Sequence, residues 1–321
     1  MPKISVIIPV YNGAGYIRKA LDSILCLELI DFEIIVIDDG STDMSSAIIR
    51  EYSERHGIRV LYFYQGNKGP AAARNEGIKK ATGQYVAFLD SDDVVLGDSL
   101  SRRSQFLDMH PEVDLVFTDY YIQNDDFAET IPYLKKNRFL DNFQETIFVR
   151  GNEEIVFNNM FYRKYFKYSP LPIWTGTVMM RRSFIEKIGL FRTDIWIVED
   201  LDYWLRALMG GTIGYIDKPL AIYRRVDSTL TKNIEQYRLQ VLKFYKERYS
   251  MCDDKIVKKL LQKRLSSAYF EAGYYYTECI KRKEALYYLS RSIFYGPFQK
   301  FSYKTIFKLI FLKSKLRNVQ S

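Results

Sequence analysis

The sequence predicts an α/β fold, in which a mostly parallel, Rossmann-like sheet carries helices on both faces, followed by an α-helical extension. Over the first hundred residues, apolar runs of strand length alternate with stretches of helical periodicity. Continuous apolar strands separated by helices are typical of a parallel sheet that is buried on both faces. From residue 235 onward the apolar residues recur with helical spacing, which predicts a helical region.

Each element follows from local pattern, in chain order. Lys3 to Val10 is a β-branched run of strand length, and apolar residues three and four positions apart then indicate a helix. Gly69 and Pro70 mark a later helix start, because proline is tolerated in the first helical turn. The predicted strands are 3–10, 33–37, 58–64 and 85–89, the predicted helices are 15–25, 43–56 and 70–81, and residues 171–190 predict a strand and a short helix ending at Gly189.

Polar side chains follow three of these strands directly. Tyr11 and Asn12 follow the first strand, and Asp38 and Asp39 follow the second. The segment from Asp90 to Asp93 follows the fourth. The carboxyl ends of parallel strands meet at one edge of the sheet, where ligands bind in open α/β folds. A single loop carboxylate means little, but three such groups at one edge predict a binding site.

Composition excludes several classes of protein. The chain of 321 residues has 26 Tyr and 21 Phe but 2 His and 3 Cys, which argues against a disulfide framework or a thiolate zinc site. Gly13 and Gly15 lack the third glycine of a dinucleotide-binding motif, and no Gly-Lys-Ser/Thr phosphate loop occurs. With no secretory signal and no apolar run of ~18 residues, we expect a cytoplasmic protein without a membrane span.

The element from Asp90 through Ser91 to Asp92 offers metal ligands. Two carboxylates at positions i and i+2 after a strand present hard oxygens, which suit Mg²⁺ or Mn²⁺ rather than a soft metal. Such ions need few protein ligands when substrate phosphates supply the rest. An Asp-x-Asp string is common, so the element counts only together with its surroundings.

Four motifs in order resemble the family 2 glycosyltransferases, which are inverting, metal-dependent enzymes of the GT-A fold. The resemblance covers roughly residues 3–230. The motifs are Ile4 to Asn12 (ISVIIPVYN), Glu33 to Asp43 (EIIVIDDGSTD), Asn67 to Asn75 (NKGPAAARN) and Phe88 to Asp93 (FLDSDD).

The resemblance implies a role for each matching residue. Asp39 is expected to accept a hydrogen bond from the uracil N3–H of a UDP-sugar, and Tyr11 to lie near the base. Asp92 is expected to bind Mn²⁺ or Mg²⁺. The complete set of implied donor-binding residues is Pro9, Tyr11, Asp39, Arg74, Asp90 and Ser91.

The catalytic base is expected later in the chain. The string from Trp196 through Glu199 and Asp200 resembles the family's Glu-Asp motif at a helix start. Inverting transfer requires one base for the acceptor hydroxyl, and the resemblance implies Asp200 for it. Glu199, Trp174 and Trp196 are candidate acceptor-binding residues. The same acids could simply favour the helix dipole, and either tryptophan could equally be a core residue.

One position departs from the family pattern. Many relatives have Tyr-Arg-x-His where this chain has Tyr223 to Val226, so valine stands in place of a metal-binding histidine. Arg224 or Arg225 could contact the diphosphate instead. The chain also lacks a Gln-x-x-Arg-Trp string, which favours addition of a single sugar over processive synthesis.

The charge is segregated along the chain. Residues 231–321 carry 20 Lys and Arg against 7 Asp and Glu, although the net charge of the whole chain is +8. Residues 299–317 predict a basic amphipathic helix, which suits an anionic membrane surface or, equally, an ordinary packed helix. No recognised nucleic-acid-binding motif accompanies it, so we expect no nucleic acid partner.

These observations predict three regions and one function. Residues 1–230 form the GT-A domain, with a nucleotide-sugar-binding half (1–119) and an acceptor-binding half (120–230), and residues 231–321 form the basic helical region. Within the acceptor half, residues 120–169 show little periodicity. The expected function is transfer of one sugar from a UDP-sugar to a glycan or lipid-linked saccharide in surface polysaccharide synthesis, in the cytoplasm or on the inner face of the membrane. The alternative is a scaffold that binds nucleotide without catalysis.

Overall fold

The computed structural model describes residues 1–27, 31–124, 127–128, 130–165, 173–226, 233–296 and 301–308, with the backbone alone for 127–128. The chain divides into two compact units, Met1–Asp227 and Ser228–Ser321. The first unit is built on a mixed β-sheet with helices, and the described part of the second unit is helical. The predicted fold class, α/β with a C-terminal helical region, is confirmed.

The first unit contains eleven strands and nine α-helices among its described residues. The strands are β1 (Ile4–Val10), β2 (Phe32–Asp38), β3 (Val60–Tyr64), β4 (Tyr85–Phe88), β5 (Val94–Val95), β6 (Leu115–Asn124), β7 (Phe127–Ala128), β8 (Ile147–Arg150), β9 (Glu154–Phe157), β10 (Met179–Arg181) and β11 (Ile213–Arg225). The helices are α1 (Ile17–Leu25), α2 (Ser45–His56), α3 (Pro70–Lys80), α4 (Ser99–Met109), α5 (Tyr133–Lys136), α6 (Phe139–Phe143), α7 (Phe161–Tyr165), α8 (Arg182–Ile188) and α9 (Glu199–Gly210).

The sheet order is β3-β2-β1-β4-β10-β6-β11-β9-β8, with β5 paired to β11 and β7 to β6. The four predicted strands pair in parallel, as expected. The rest of the sheet is mixed: β10 enters between β4 and β6 antiparallel to both, whereas β6 and β11 pair in parallel. The third strand begins at Val60 rather than at residue 58, because Gly57–Arg59 forms a 3₁₀ turn.

Helix α3 packs unusually close to the central strand β1. A Cβ atom added to Gly77 would lie 2.4 Å from Cγ2 of Ile7, a fully buried side chain of β1. Only glycine therefore allows the helix axis to approach the strand this closely. On the preceding turn of α3, Arg74 bonds Asp90, which follows β4.

Replacing Gly77 with alanine should destabilise the protein. The added methyl group overpacks a rigid site, which typically costs about 1–3 kcal/mol, against a gain in helix propensity of up to about 1 kcal/mol. Urea unfolding should show the net loss. Gly15→Ala is the matched control, since no atom lies within 4 Å of its added Cβ. Equal midpoints for the two variants would contradict the close packing of α3.

The segment 120–169, for which the sequence shows little periodicity, is regularly folded where it is described. It adds β8 and β9 to the sheet and builds an aromatic core. Phe157 and Phe161 stack with ring centroids 4.0 Å apart, and Phe139 contacts both of them. Its high aromatic content therefore serves packing.

The second unit contains α10 (Ile234–Met251), α11 (Lys255–Glu278) and α12 (Arg282–Tyr295), and residues 301–308 are also helical. Helix α11 packs on α12, where a Cβ added to Gly273 would lie 2.7 Å from Cγ of Leu289. Of the predicted helix 299–317, residues 299–300 and 309–317 lie outside the described residues. None of the helices in the described ranges has the length and apolar character required to cross a membrane.

Candidate active site

The site predicted from the sequence lies at the edge of the sheet where β1, β2 and β4 end, called the carboxyl edge below. The backbone N–H of Asp39 donates to the carbonyl of Val10 over 2.8 Å, so the ends of β2 and β1 are joined there. Pro9 is buried within β1, whereas Tyr11 is 48% exposed just beyond it. Ser91, after β4, lies over Gly13, where an added Cβ would be 3.2 Å from its Oγ. The three strand ends therefore contribute to one surface.

Asp39 organises the loop that follows β3, residues 65–69. Its carboxylate is 3% exposed and accepts hydrogen bonds from Gln65 Nε2 (2.7 Å) and from the backbone N–H groups of Lys68 (2.9 Å) and Gly69 (2.8 Å). Since a carboxylate can accept about four hydrogen bonds, one further donor can be accommodated.

Asp38, the neighbour of Asp39, is fully buried. Its carboxylate accepts hydrogen bonds from the backbone N–H of Ser41 (2.8 Å), the Tyr62 hydroxyl (3.1 Å) and the Ser46 hydroxyl. These contacts hold the turn after β2, so Asp38 shapes the loop.

The Asp90–Asp93 segment forms a tight turn after β4, called the aspartate turn below. The N–H of Asp93 donates to the carbonyl of Asp90 over 2.9 Å. The Asp93 carboxylate is 1% exposed and accepts hydrogen bonds from Trp174 Nε1 (2.7 Å) and the backbone N–H of Arg224 (3.0 Å). The side chains of Asp90 and Asp92 remain partly exposed at the carboxyl edge.

The two arginines at the end of β11 differ in their surroundings. Arg224 is 8% exposed, and its guanidinium donates to the backbone carbonyls of Asp92 and Tyr16 while lying 5.6 Å from the Tyr16 ring centroid. Arg225 is exposed, and Val226 follows it half-buried. Arg224 therefore braces the aspartate turn, and Arg225 presents its charge to solvent.

Arg74 joins the strand ends to helix α9. Its guanidinium is buried and donates to Asp90 Oδ1 (2.7 Å) and to Glu199 Oε1 (3.0 Å). Burial opposes the charge of this arginine, but the negative charges of Asp90 and Glu199 outweigh burial and raise its pKa above the ordinary value. Arg74 thus stays charged and binds a carboxylate that lies 125 residues further along the sequence.

Glu199 and Asp200 form the first turn of α9, as predicted. Burial, with the charge of Asp200 adding to it, raises the pKa of Glu199 to about 7, against the opposing charge of Arg74. Burial also raises the pKa of Asp200, again opposed by Arg74. Asp200 Oδ1 accepts the N–H of Leu201 over 2.6 Å. The side chain of Asp200 is partly exposed, so its carboxylate combines raised basicity with access to solvent.

The aspartate turn suits a divalent cation. Asp90 and Asp92 supply hard oxygen ligands of the type that Mg²⁺ and Mn²⁺ prefer. Burial, with the charge of Asp90 adding to it, raises the pKa of Asp92 to about 6. The ionised form of Asp92 is therefore disfavoured, and a bound cation would offset that cost. Within the described ranges, no group of three or more His, Cys, Asp or Glu side chains is arranged to hold a metal ion.

The two predicted tryptophans lie at the same edge but in different settings. Trp174 donates its indole N–H to Asp93 and packs on Tyr223, with ring centroids 4.1 Å apart. Trp196 is 45% exposed and covers Gly69, whose added Cβ would lie 3.7 Å from the indole. The indole N–H of Trp174 is thus bonded to the aspartate turn, whereas Trp196 borders loop 65–69.

Three residues of this site were not assigned a role from the sequence. Gln65 follows β3 directly, so the strand-end pattern that selected Asp39 also points to it. Tyr16 lies under Arg224, and no local pattern reveals that contact. Asn75 follows Arg74 in the NKGPAAARN motif, but its partner, Phe191, is 116 residues away.

The chain is similar to glycosyltransferases of known sequence and to glycosyltransferases of known structure. The chain is 32% identical over 236 residues to the uncharacterized glycosyltransferase EpsJ of Bacillus subtilis, covering 72% of this chain and 64% of EpsJ. It is 32% identical over 232 residues to the glycosyltransferase GlyA of Streptococcus pneumoniae, covering 72% of this chain but 32% of GlyA. The chain therefore spans less than two thirds of the length of these relatives.

Two solved structures share the fold. TarS of S. aureus, residues 1–349 in complex with UDP-GlcNAc, matches with a TM-score of 0.64 at 20% identity, over 91% of this chain and 81% of that one. The mannosyltransferase PcManGT of Pyrobaculum calidifontis, in complex with GDP-Man and Mn²⁺, matches with a TM-score of 0.57 at 18% identity, over 96% and 85%. The family model for glycosyl transferase family 2 matches residues 5–189, more than half of the chain. The protein therefore belongs to glycosyl transferase family 2 and has the GT-A fold that the motifs predict.

Proposed function

We propose that the protein is an inverting, metal-dependent hexosyltransferase that moves one sugar from a UDP-sugar to a hydroxyl group of a glycan or lipid-linked saccharide. The observation that carries this proposal is the Arg74 bridge, which brings the aspartate turn and the Glu199–Asp200 pair to one edge. A nucleotide-binding surface and a candidate base thereby face the same space. We further propose that the product belongs to a surface polysaccharide such as capsule, exopolysaccharide or O-antigen.

Donor binding is assigned to the first half of the domain, residues 1–119. Asp39 has one acceptor position left for the uracil N3–H, and the exposed ring of Tyr11 can pack on the base. Asp90 would bind the ribose. Asp92, with oxygens of the donor diphosphate, would hold Mn²⁺ or Mg²⁺, which stabilises the negative charge of the departing diphosphate when bound.

The solved neighbours support a nucleotide-sugar donor without choosing its base. TarS was crystallised with UDP-GlcNAc and PcManGT with GDP-Man and Mn²⁺. The UDP assignment for this chain rests on the resemblance of its Asp39 motif, and a uracil N3–H suits the remaining acceptor position there.

The chain's own carboxylate supplies the base. The acceptor oxygen forms a bond to the anomeric carbon, its proton passes to Asp200, and the bond from that carbon to the diphosphate oxygen breaks with its electron pair leaving on UDP. Glu199, held by Arg74, would orient Asp200 or an acceptor hydroxyl. The exposed face of Trp196 and the ring of Trp174 would contact the acceptor sugar, in the half assigned to residues 120–230. Arg225, exposed at the end of β11, is better placed than Arg224 for a diphosphate contact.

Release of UDP tests the donor assignment. Purified protein is incubated with UDP-glucose, UDP-galactose, UDP-N-acetylhexosamines and GDP-mannose, each with Mn²⁺ or Mg²⁺ and a panel of saccharide acceptors. We expect metal-stimulated UDP release and a β-linked product from the α-linked donor, seen in the proton NMR coupling of the anomeric hydrogen. An α-linked product, or preference for GDP-mannose, would overturn the mechanism or the donor respectively. UDP binding without turnover would favour a non-catalytic scaffold.

The location proposed for this reaction is the cytoplasm, with residues 299–317 docking on the inner face of the membrane. Support comes from the described part of this segment, where Phe301, Tyr303 and Phe307 are 67%, 48% and 61% exposed beside Lys304 and Lys308. Co-sedimentation with phosphatidylglycerol vesicles, compared with phosphatidylcholine vesicles, tests this placement. Equal recovery with both lipids would contradict it.

A further inference from the structure

One side chain of α3 bonds both backbone groups of Phe191. Asn75 is 7% exposed, its Nδ2 donates to the carbonyl of Phe191 over 2.8 Å, and its Oδ1 accepts the N–H of Phe191 over 2.8 Å. The Asn75 amide pairs with both backbone groups of Phe191, as the backbone of a neighbouring strand would. It therefore fixes the position and the direction of the chain at Phe191. Both bonds are buried, where leaving a donor or acceptor unpaired is costly.

Phe191 opens the segment that leads to the proposed base, residues 191–199. Its ring stacks on Tyr203 of α9 with centroids 3.7 Å apart and planes 10° apart. The Arg74 guanidinium lies 5.6 Å from the centre of the same ring and binds Glu199 at the other end of the segment. Two consecutive residues of α3 therefore hold both ends of the 191–199 segment.

The middle of this segment reaches the donor side of the site. Trp196 covers Gly69, and the N–H of Gly69 binds Asp39. The segment thus runs between the loop that Asp39 organises and the acid pair at the start of α9. A displacement at Phe191 would alter the spacing between these two places.

A second side chain secures the preceding residues in a different way. Arg206 donates to the carbonyls of Ile188 (2.6 Å) and Leu190 (2.7 Å). Arg206 belongs to α9, so it ties the chain to the helix that follows the segment. Asn75 belongs to α3 and ties it to the donor half of the domain. Of these two side chains, Asn75 is the one that ties the chain at Phe191 to the donor half.

We propose that Asn75 is a positioning residue for sugar transfer, which sets the distance between Asp200 and the donor by holding Phe191 against α3. This inference rests on the proposed function. Asn75 itself does not need to touch either substrate. Its effect should therefore fall on turnover rather than on donor affinity, because misplacing a reacting group by about 1 Å can cost about a hundredfold in rate.

Asn75→Asp is the matched test. The variant keeps the size of the side chain and an acceptor for the Phe191 N–H, but it places a carboxylate oxygen against the Phe191 carbonyl. We expect kcat to fall about 10–100-fold, with the Kd for UDP changed less than about twofold. Hydrogen–deuterium exchange should accelerate across 191–199 and stay unchanged in β1 and β2.

Two further variants serve as a substitute for Asn75→Asp and as a control. Asn75→Ser removes both hydrogen bonds without adding charge. If circular dichroism shows that Asn75→Asp does not fold, Asn75→Ser is used in its place. Asn233→Asp is the control for the same substitution elsewhere, because Asn233 caps α10 through its Oδ1, a bond that aspartate retains. It should leave kcat and exchange unchanged.

Each result has a consequence. Unchanged kcat, or faster exchange spread over the whole first unit, overturns the positioning role. A weaker UDP affinity with unchanged kcat also overturns it and makes Asn75 a donor contact. A wild-type protein that transfers no sugar from any donor overturns the proposed function and the positioning role together, whereas active wild-type protein with unaffected variants overturns the positioning role alone.

Discussion

Replacing Asp200 with asparagine is expected to lower kcat by about 10²–10⁴-fold, the range that a general base contributes. Asparagine has the same shape and keeps an oxygen to accept the N–H of Leu201, so the start of α9 should remain in place. It cannot take a proton from the acceptor hydroxyl. Calorimetric titration should show UDP affinity within about twofold of wild type, because the role proposed for Asp200 concerns the acceptor.

Asp194→Asn is the control for this variant. Asp194 lies in the same 191–199 segment, its side chain is 59% exposed, and it pairs with Arg192. We expect its kcat to stay near that of wild type. A similar loss in both variants would show that the segment tolerates no change and would leave Asp200 without a special role. Full activity of Asp200→Asn would transfer the assignment of the base to Glu199.

The pH profile of wild-type activity should show the titration of Asp200. Burial raises the pKa of Asp200, and the charge of Arg74 opposes that effect in part. The base must be ionised to act, so kcat/KM should fall as the pH drops through this raised pKa. The acid limb should therefore lie above the ordinary aspartate value of about 3.9, and it should be missing from the residual activity of Asp200→Asn.

Replacing Arg74 with methionine is expected to destabilise the protein strongly. The change leaves Glu199 and Asp90 without their shared cation, and removing one partner of a buried ion pair typically costs about 3–5 kcal/mol. Donor binding should weaken as well, because Asp90 loses the contact that orients it. Urea unfolding and UDP titration measure the two effects separately.

The loss of stability in Arg74→Met should depend on pH in a defined direction. The pKa of Glu199 is already raised to about 7, and removing the arginine raises it further. The protonated folded form is then favoured, so its stability is retained at low pH and lost as the pH rises through the folded-state pKa. Destabilisation should be larger at pH 8 than at pH 6.

The double variant Arg74→Met with Glu199→Gln separates charge from packing. Glutamine removes the unpaired charge, so the double variant should be more stable than Arg74→Met alone at pH 8. If the loss of stability in the double variant equals the sum of the losses in the two single variants, the buried pair contributes no coupling.

The strand-end pattern and the motifs together predicted most of the candidate site. Asp39, Asp90 and Asp92 sit where parallel strands end, and that position follows from apolar runs and the residues after them. The start of α9 at Glu199 was likewise predicted. These features are local, so a window of about ten residues contains the information.

Other features depend on packing between distant segments. The bonds of Arg74 to Glu199 and of Asn75 to Phe191 span more than a hundred residues, and no local period encodes them. The same holds for Arg224, which the sequence offered as a diphosphate contact and whose guanidinium donates to the carbonyls of Asp92 and Tyr16. A strand within 171–190 was predicted, but the antiparallel direction of β10 was not, because direction depends on the distant strands that flank it.

Calorimetric titration of UDP with and without Mn²⁺, on the wild type and on Asp92→Ala, tests the central claim most directly. Asp253→Ala, an exposed aspartate of the second unit, serves as the control. The structure predicts Mn²⁺-dependent UDP binding by the wild type and the control, and a loss of at least about tenfold, or 1.4 kcal/mol, in Asp92→Ala. No UDP binding by the wild type in either condition would contradict a UDP-sugar site at the carboxyl edge.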